Sequence, residues 1–447
     1  MPRHLLRLLP FASAVALLAG EAQAAGFAIR EQSATAQGNA FAGATAGAED
    51  PSYMFFNPAA LAYQEGTQAV VLQNVVLPTI RLKDSQGSTV TGDNIPGRPD
   101  DDDVGKDALI PAFYGSWEVD PAWHLGLAVT VPFGLATDYS DGWTGRYHAL
   151  YSAVKTININ PAVAWRPLPW LSIGGGVQVQ YLDAELSSAI DFGTIGAVAG
   201  VPGSVPGQQD GRVQVRGDDL AYGWNAGAIV ETPVEGLRLG VAYRSKVEHR
   251  LTGDADFTTD DAGIGSALAN ATGRFRDSGV SADLTTPAML SFGFQQTLNE
   301  RWSVQGELAW TQWSSFDQLV IRFDNDAESP SVTEERWNDV WFAALGATWR
   351  PDPNLALRAG VAYDQSPTTD RHRSPRIADG DRYWLSVGGS WQVKEWLSLD
   401  ASWAHVFMDD TKVSQDTNGE GNTFRGNLDA NYETHIDLVA VSARIRF

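Results

Sequence analysis

The chain has 447 residues, with 54 acidic against 32 basic side chains, a formal net charge of −22 and no cysteine. A charge of that sign argues against nucleic acid as a partner. The missing cysteine excludes little, because an exported barrel whose strands all bond to neighbours needs no disulfides. Sixteen Trp, eighteen Phe and twelve Tyr say more: aromatic side chains collect where a protein meets both oil and water.

The first 24 residues read as an export signal. Arg3, His4 and Arg7 make a basic start. Leu8 to Ala19 is apolar but too short to span a membrane, and Ala22-Gln23-Ala24 is a small-x-small cleavage site, so the mature chain is expected to begin at Ala25. No other stretch reaches the roughly 18 apolar residues of a transmembrane helix. A periplasmic protein, a secreted protein and an outer-membrane barrel remain.

Residues 25–66 are rich in Gly and Ala and fit neither a strand period nor a long helix. Gly at 26, 38, 43, 47 and 66 and Pro at 51 and 58 suit a compact, irregular segment. Tyr53, Met54, Phe55 and Phe56 need somewhere to pack, which separates this segment from a disordered tail. We expect it to fold as a plug.

From Gly66 onward the chain alternates. Trp302, Val304, Leu308 and Trp310 share one face against Ser303, Gln305, Glu307 and Ala309. The same pattern recurs at Trp123 to Val131, Leu171 to Tyr181, Leu237 to Tyr243, Trp341 to Trp349, Leu355 to Tyr363, Tyr383 to Trp391, Leu397 to Trp403 and Val439 to Phe447. Period-two runs of about ten residues that end in aromatics are the mark of transmembrane strands. Six short turns, such as Val119 to Ala122 and Arg350 to Asn354, separate seven longer loops at about 84–107, 133–152, 187–217, 251–280, 324–333, 366–380 and 410–431. Short turns alternating with long loops belong to an outer-membrane barrel. Thirteen connections join fourteen strands, an even number that lets the sheet close and leaves no edge. The reading is all-β: a 14-stranded antiparallel transmembrane β-barrel over 67–447, with the segment 25–66 as an N-terminal plug (hatch) in its lumen. A barrel of that size keeps an open lumen unless something fills it.

Other signals carry less. Asp100 to Asp103 lacks the spaced ligands of a calcium loop. The seven histidines show no metal-ligand spacing, Gly174-Gly175-Gly176 lies in a strand with no Lys-Ser/Thr after it, and no Gly-x-Ser-x-Gly is present. Neither a cofactor nor a metal is expected. The terminal Phe447 resembles the signal read by the bacterial barrel-assembly machinery.

Several short motifs in order carry a family resemblance: Ala25-Gly26-Phe27, Asn57-Pro58-Ala59, Pro132-Phe133-Gly134, Trp143-Thr144-Gly145-Arg146-Tyr147, Tyr243-Arg244-Ser245-Lys246 and Asp381-Arg382-Tyr383-Trp384. The chain resembles the FadL family of outer-membrane transporters for long-chain fatty acids and other hydrophobic compounds, which includes toluene and xylene channels. The resemblance implies that substrate lands among the outer loops and moves to a tighter pocket against the hatch. It then leaves sideways into lipid through a kink in the third strand. Carried over by position, Phe27, Asn57, Pro58 and Ala59 would form the hatch pocket. Trp143, Arg146 and Tyr147 would lie where substrate first lands, and Phe133 and Gly134 would end the third strand. Where the family has a basic residue for the carboxylate, this chain has Asn338. Arg244, Arg358 and Arg382 alternate away from the apolar face and are candidate carboxylate partners. The expected function is passive uptake of long-chain fatty acids across the bacterial outer membrane. The alternatives are a channel for uncharged hydrocarbons, a general porin and a membrane-embedded hydrolase. The expected partners are the fatty acid or another hydrophobic molecule, outer-membrane lipid and lipopolysaccharide, and the assembly machinery; the protein is expected to be a monomer.

Overall fold

The computed structural model describes residues 26–447, so the expected export signal and cleavage site lie outside the described residues. Fourteen strands form the wall. They are β1 (Thr67–Ser88), β2 (Ala108–Asp120), β3 (Trp123–Thr130, resumed at Gly134–Asp138), β4 (Tyr151–Leu168) and β5 (Leu171–Asp191). Next come β6 (Asp210–Glu231), β7 (Leu237–Arg244 and Val247–Thr258), β8 (Ser278–Thr286 and Met289–Thr297) and β9 (Trp302–Thr311 and Gln318–Phe323). The last are β10 (Ser331–Glu334 and Val340–Asp352), β11 (Leu355–Asp364), β12 (Arg382–Lys394), β13 (Leu397–Met408 and Thr411–Gln415) and β14 (Asn427–Arg446). Each runs antiparallel to the next, and β14 returns to β1 from Gln68↔Arg446 to Ser88↔Asn427. Closure gives the backbone of the edge strands partners that lipid could not supply.

The alternating face points outward, as expected. Trp117, Trp123, Trp165, Trp302 and Trp349 are exposed at the ends of strands joined by short turns. Trp123 stacks on Trp165 at 5.5 Å and Trp302 on Trp349 at 5.9 Å between ring centroids, part of an interfacial girdle.

The outer loops are shorter than the sequence suggests. The expected loop 187–217 is sheet at both ends: β5 and β6 stay paired as far as Asp191↔Asp210, and 192–209 connects them, through helix α2 (Phe192–Ala199). The expected loop 251–280 likewise keeps strand to Thr258 and from Ser278, around helix α3 (Ile264–Thr272). Outward positions there turn polar, at Asp183, Glu185, Arg216 and Asp218, so the hydropathy signal stops where lipid stops. The hydrogen-bond ladder does not.

Residues 26–64 fill the lumen. A four-residue helix, α1 (Ala34–Gln37), is capped by Ser33. Two 3₁₀ turns follow, Pro51–Phe55 capped by Asp50 and Pro58–Tyr63 capped by Asn57. Each begins with Pro, whose fixed φ and missing N–H suit a first helical turn. The wall makes room for the hatch backbone with inward-facing glycines. A Cβ on Gly360 would collide with Asn39, one on Gly227 with Asn57 and one on Gly174 with Pro58 and Ala59. Polar ties add to this packing. Arg358 forms an ion pair with Glu49, Arg444 donates to the Glu49 carbonyl at 2.6 Å, and Tyr114 Oη donates to the Gln32 carbonyl at 2.6 Å. The backbone N–H and hydroxyl of Thr45 both donate to the Glu307 carboxylate.

Gly360→Leu puts a side chain where the Asn39 backbone sits. Its expected outcome is a closed barrel with an unseated hatch, seen as a raised single-channel conductance in planar bilayers and new protease cleavage within 26–66. A conductance equal to wild type would show that the close approach does not hold the hatch.

Candidate translocation path

The third strand is broken. Its first part pairs with β2 from Asp120↔Trp123 to Phe113↔Val129. At Val131, Pro132 and Phe133 the ladder stops, and Gly134–Asp138 pairs with β4. The outer part of β2, from Ala108 to Ala112, pairs with β1 alone. Apart from a single bridge between Gly105 and Thr137, the wall between β2 and β3 is unpaired outside the break. Pro132 removes a ladder donor, which is why the strand stops there. Gly134 resumes the strand rather than ending it, which corrects the sequence-based expectation.

The start of the hatch covers this break. Ala28 bridges to Phe133, Ile29 N–H donates to the Pro132 carbonyl at 2.8 Å, and Gly134 N–H donates to the Phe27 carbonyl at 2.9 Å. Gln32 joins from the side: its Nε2 donates to the Val131 carbonyl at 2.7 Å and its Oε1 accepts from the Val131 N–H at 3.3 Å.

Phe27 is the centre of an aromatic cluster. Its ring lies 4.7 Å from Trp313, 5.7 Å from Phe316, 5.8 Å from Trp337 and 5.9 Å from Phe133, mostly edge to face. Trp313 and Phe316 come from the interruption of β9, and Trp337 from the interruption of β10, where the chain leaves the wall and turns inward. Gly26, at φ +62°, packs on Trp313 and Trp337 where a Cβ has no room, and its N–H donates to Asp379 at 3.1 Å.

On the outer side of Phe27 lies a cavity of about 70 Å³, lined by apolar side chains such as Leu135, Val154, Leu284, Leu319 and Ile377. Three charged residues border it: Glu335, Arg376 and Arg216, the last paired with Glu185. A wider groove of about 440 Å³ continues outward between the loops and shares Leu186, Val215, Leu319, Ile321 and Arg376 with the cavity. Arg376 therefore stands at the junction. Its Nη1 donates to the Tyr151 carbonyl at 3.1 Å and Ser152 Oγ at 2.8 Å, and its Nη2 to the Ser187 carbonyl at 3.2 Å. Among the described residues no carboxylate lies within 4.0 Å of it. Burial pushes the Glu335 carboxyl up to about 8, against the smaller opposing effects of the Trp337 indole N–H and of Arg376 and Arg425. Burial thus favours its protonated form, and Trp337 Nε1 donates to it at 3.0 Å.

The residues expected from sequence fall in several places. Phe27 borders the tight cavity. Asn57, Pro58 and Ala59 do not join it: Asn57 Nδ2 donates to the Thr45 carbonyl at 2.7 Å and the Ala228 carbonyl at 3.1 Å, and Ser172 Oγ donates to the Ala59 carbonyl at 2.7 Å. They moor the hatch to the wall. Trp143 and Arg146 are buried, which corrects their placement on a landing surface. Trp143 stacks on Tyr139 at 4.3 Å and donates to the Ala149 carbonyl at 2.7 Å; Arg146 pairs with Asp210 and donates to the Pro96 carbonyl at 2.7 Å. They form the core of the loop cap, because a long outer loop needs its own apolar centre. Tyr147, buried beside them with its hydroxyl on Asp210 at 2.6 Å, borders the outer groove. Arg358 and Arg382 are already paired, with Glu49 and Asp379, so neither is free for a substrate carboxylate. Arg244 has no ion pair; its Nη2 donates to the Phe55 carbonyl at 2.7 Å and its guanidinium lies 4.4 Å over the Phe55 ring. Sequence reasoning missed Arg376 and Glu335. Asn338 lies in the same interruption of β10 as Glu335 and Trp337, and its N–H donates to the Pro367 carbonyl at 2.9 Å.

A closed barrel that holds a plug, with an apolar path leading to a covered break in its wall, defines an outer-membrane transporter of hydrophobic compounds. The model of the outer membrane protein transport protein family (OMPP1/FadL/TodX) matches residues 15–447, and the chain belongs to that family. The long-chain fatty acid transport protein of Escherichia coli K12 is 27% identical over 90% of this chain and 92% of its own length. The crystal structure of a Pseudomonas aeruginosa FadL homologue matches with a TM-score of 0.86 at 26% identity, covering 95% of this chain and 100% of that one. The toluene transporter TbuX of Ralstonia pickettii shares the fold, with a TM-score of 0.65 at 17% identity over 95% of this chain and 99% of its own. Members of this family are channels and not enzymes.

Phe27→Ala empties the centre of the aromatic cluster. A loss of about 3 kcal/mol is typical for such a truncation. Amide exchange at 27–33 should then rise about a hundredfold, while the ladder of β11 to β14 keeps its protection. Unchanged exchange at 27–33 would mean that the cluster does not hold the segment down.

Proposed function

We propose that the protein takes up long-chain fatty acids, binding the alkyl chain along the groove and cavity with the carboxylate at Arg376. The observation that carries this reading is Arg376 itself. A guanidinium at the junction of the apolar cavity and the outer groove, bonded only to neutral oxygens, leaves its charge without a counterion, and such a site is completed by an anion. Glu335 in its protonated form, which burial favours, neither competes for Arg376 nor repels the substrate. The name of the Escherichia coli relative supports the same substrate class. The tight cavity is too small for a whole long chain, so a bound tail presses on Phe27 and loosens the segment that covers the break. Release is then sideways into the membrane, where an alkyl chain gains what a watery pore would deny it.

A second reading, uptake of an uncharged hydrocarbon, draws on the same apolar lining and on the small size of the cavity. The two separate on Arg376. Arg376→Gln should weaken oleate binding to the purified protein about ten- to a hundredfold, the range for a lost charge-assisted bond, and leave 1-octadecene binding unchanged. Equal loss for both ligands, or none for oleate, would favour the hydrocarbon. The pH dependence gives an independent check. Above about 8 Glu335 ionises beside Arg376, so oleate affinity should fall as pH rises through that value, and Glu335→Gln should remove the fall. A fall of the same size in Glu335→Gln would place its cause elsewhere.

A further inference from the structure

Inside the Phe27 cluster lies a second space of about 60 Å³, between hatch and wall. Most of its lining is carbon, including Phe55, Phe342 and Met289, but three charged groups reach it: Arg30, Arg244 and Asp364. Pro132 and Phe133, at the break in β3, border the same space. The Arg30 guanidinium rests 3.9 Å over the Phe342 ring. Among the described residues, neither Arg30 nor Arg244 has a carboxylate within 4.0 Å. The acidic groups whose charge acts on Arg30 are Asp364, Glu307 and Glu31. Glu307 is occupied by Thr45, and Arg382 faces Asp364 from β12. The lining thus holds two guanidinium groups against one carboxylate.

We propose that this chamber is a transit station for the substrate's carboxylate, held by Arg30 and Arg244 after it leaves Arg376 and while the alkyl chain passes through the β3 break. The proposal rests on the fatty-acid reading above. The volume and the charged lining set the role: 60 Å³ has room for several waters or one carboxylate. A half-buried cation on an aromatic face and short of a counterion is a site that an arriving anion completes. Its position fits as well, since the head group is the part of a fatty acid that lipid rejects. A paired resting place beside the portal lets the tail enter the bilayer first. Arg30 sits on the hatch segment that covers the break, so the anion would meet it as that segment moves.

The test uses the full mature chain, loaded with oleate or with 1-octadecene and mixed with phospholipid vesicles, the transfer rate being the readout. Arg30→Gln should keep oleate affinity within about twofold of wild type yet slow oleate transfer about tenfold, the effect of one lost charge-assisted contact. Transfer of 1-octadecene should be unchanged, and Arg30→Lys should restore most of the oleate rate. Preserved oleate affinity shows that the variant is folded. Wild-type oleate transfer in Arg30→Gln, or equal slowing of 1-octadecene, would overturn the station and leave the fatty-acid reading standing. A wild-type protein that binds no oleate would remove both.

Discussion

A backbone N–H or C=O inside a membrane has to find a partner in the protein, and most of this structure follows from that requirement. Fourteen strands close into a ring because an open edge would leave a row of such groups facing lipid. The wall nevertheless breaks at Val131 to Phe133. The break is tolerated because the hatch supplies what β2 does not: the Ile29 N–H, the Phe27 carbonyl and both ends of the Gln32 amide meet the orphaned groups of β3. The first residues of the hatch serve as a replacement strand as well as a plug.

The hatch is accordingly built in two parts. From Ala36 to Tyr63 it is moored all round the lumen, by Glu307 on Thr45, Arg358 on Glu49, carbonyls of β6 on Asn57 and the bare backbone of wall glycines. From Gly26 to Gln32 it is held by aromatic packing around Phe27 and by the bonds to β3. Aromatic contacts can be rearranged by an apolar ligand, whereas buried ion pairs and close backbone contacts resist it. The division sets which end yields when a chain presses on Phe27.

The wall was legible in the sequence because lipid imposes one rule on every outward position. Trp302 to Trp310 could be placed from alternation alone. The rule lapses beyond the membrane, so β5 and β6 ran on past their predicted ends while their outward side chains turned polar. The plug was legible from Tyr53 to Phe56, a cluster that had to pack. Site residues were harder. Trp143, Arg146 and Tyr147 look like a capture surface in sequence, since aromatic and basic groups together suggest binding, yet the cap needs them for its own core. Arg376 lies in a loop rich in Arg and Asp, where no pattern separates a buried arginine from a solvated one. Pro132 and Gly134 stand at the break in β3 and Gly360 where the hatch comes close, but alternation alone does not tell such positions from other prolines and glycines of the wall.

The replacement-strand contact has an energetic direction. Lifting residues 27–29 away from β3 uncovers the Pro132 carbonyl and the Gly134 N–H, and an alkyl chain passing through has no donor or acceptor to offer them. Each uncovered backbone group costs about 1–3 kcal/mol, so the open portal lies uphill for as long as it contains only hydrocarbon. Under the sideways release proposed above, the portal acts as a sprung door: the passenger pushes it ajar but cannot prop it, and once the tail has left, the hydrogen bonds shut it. A passive channel built on that route needs no separate closing signal, because the two backbone bonds, the Gln32 amide and the packing around Phe27 all favour the shut state.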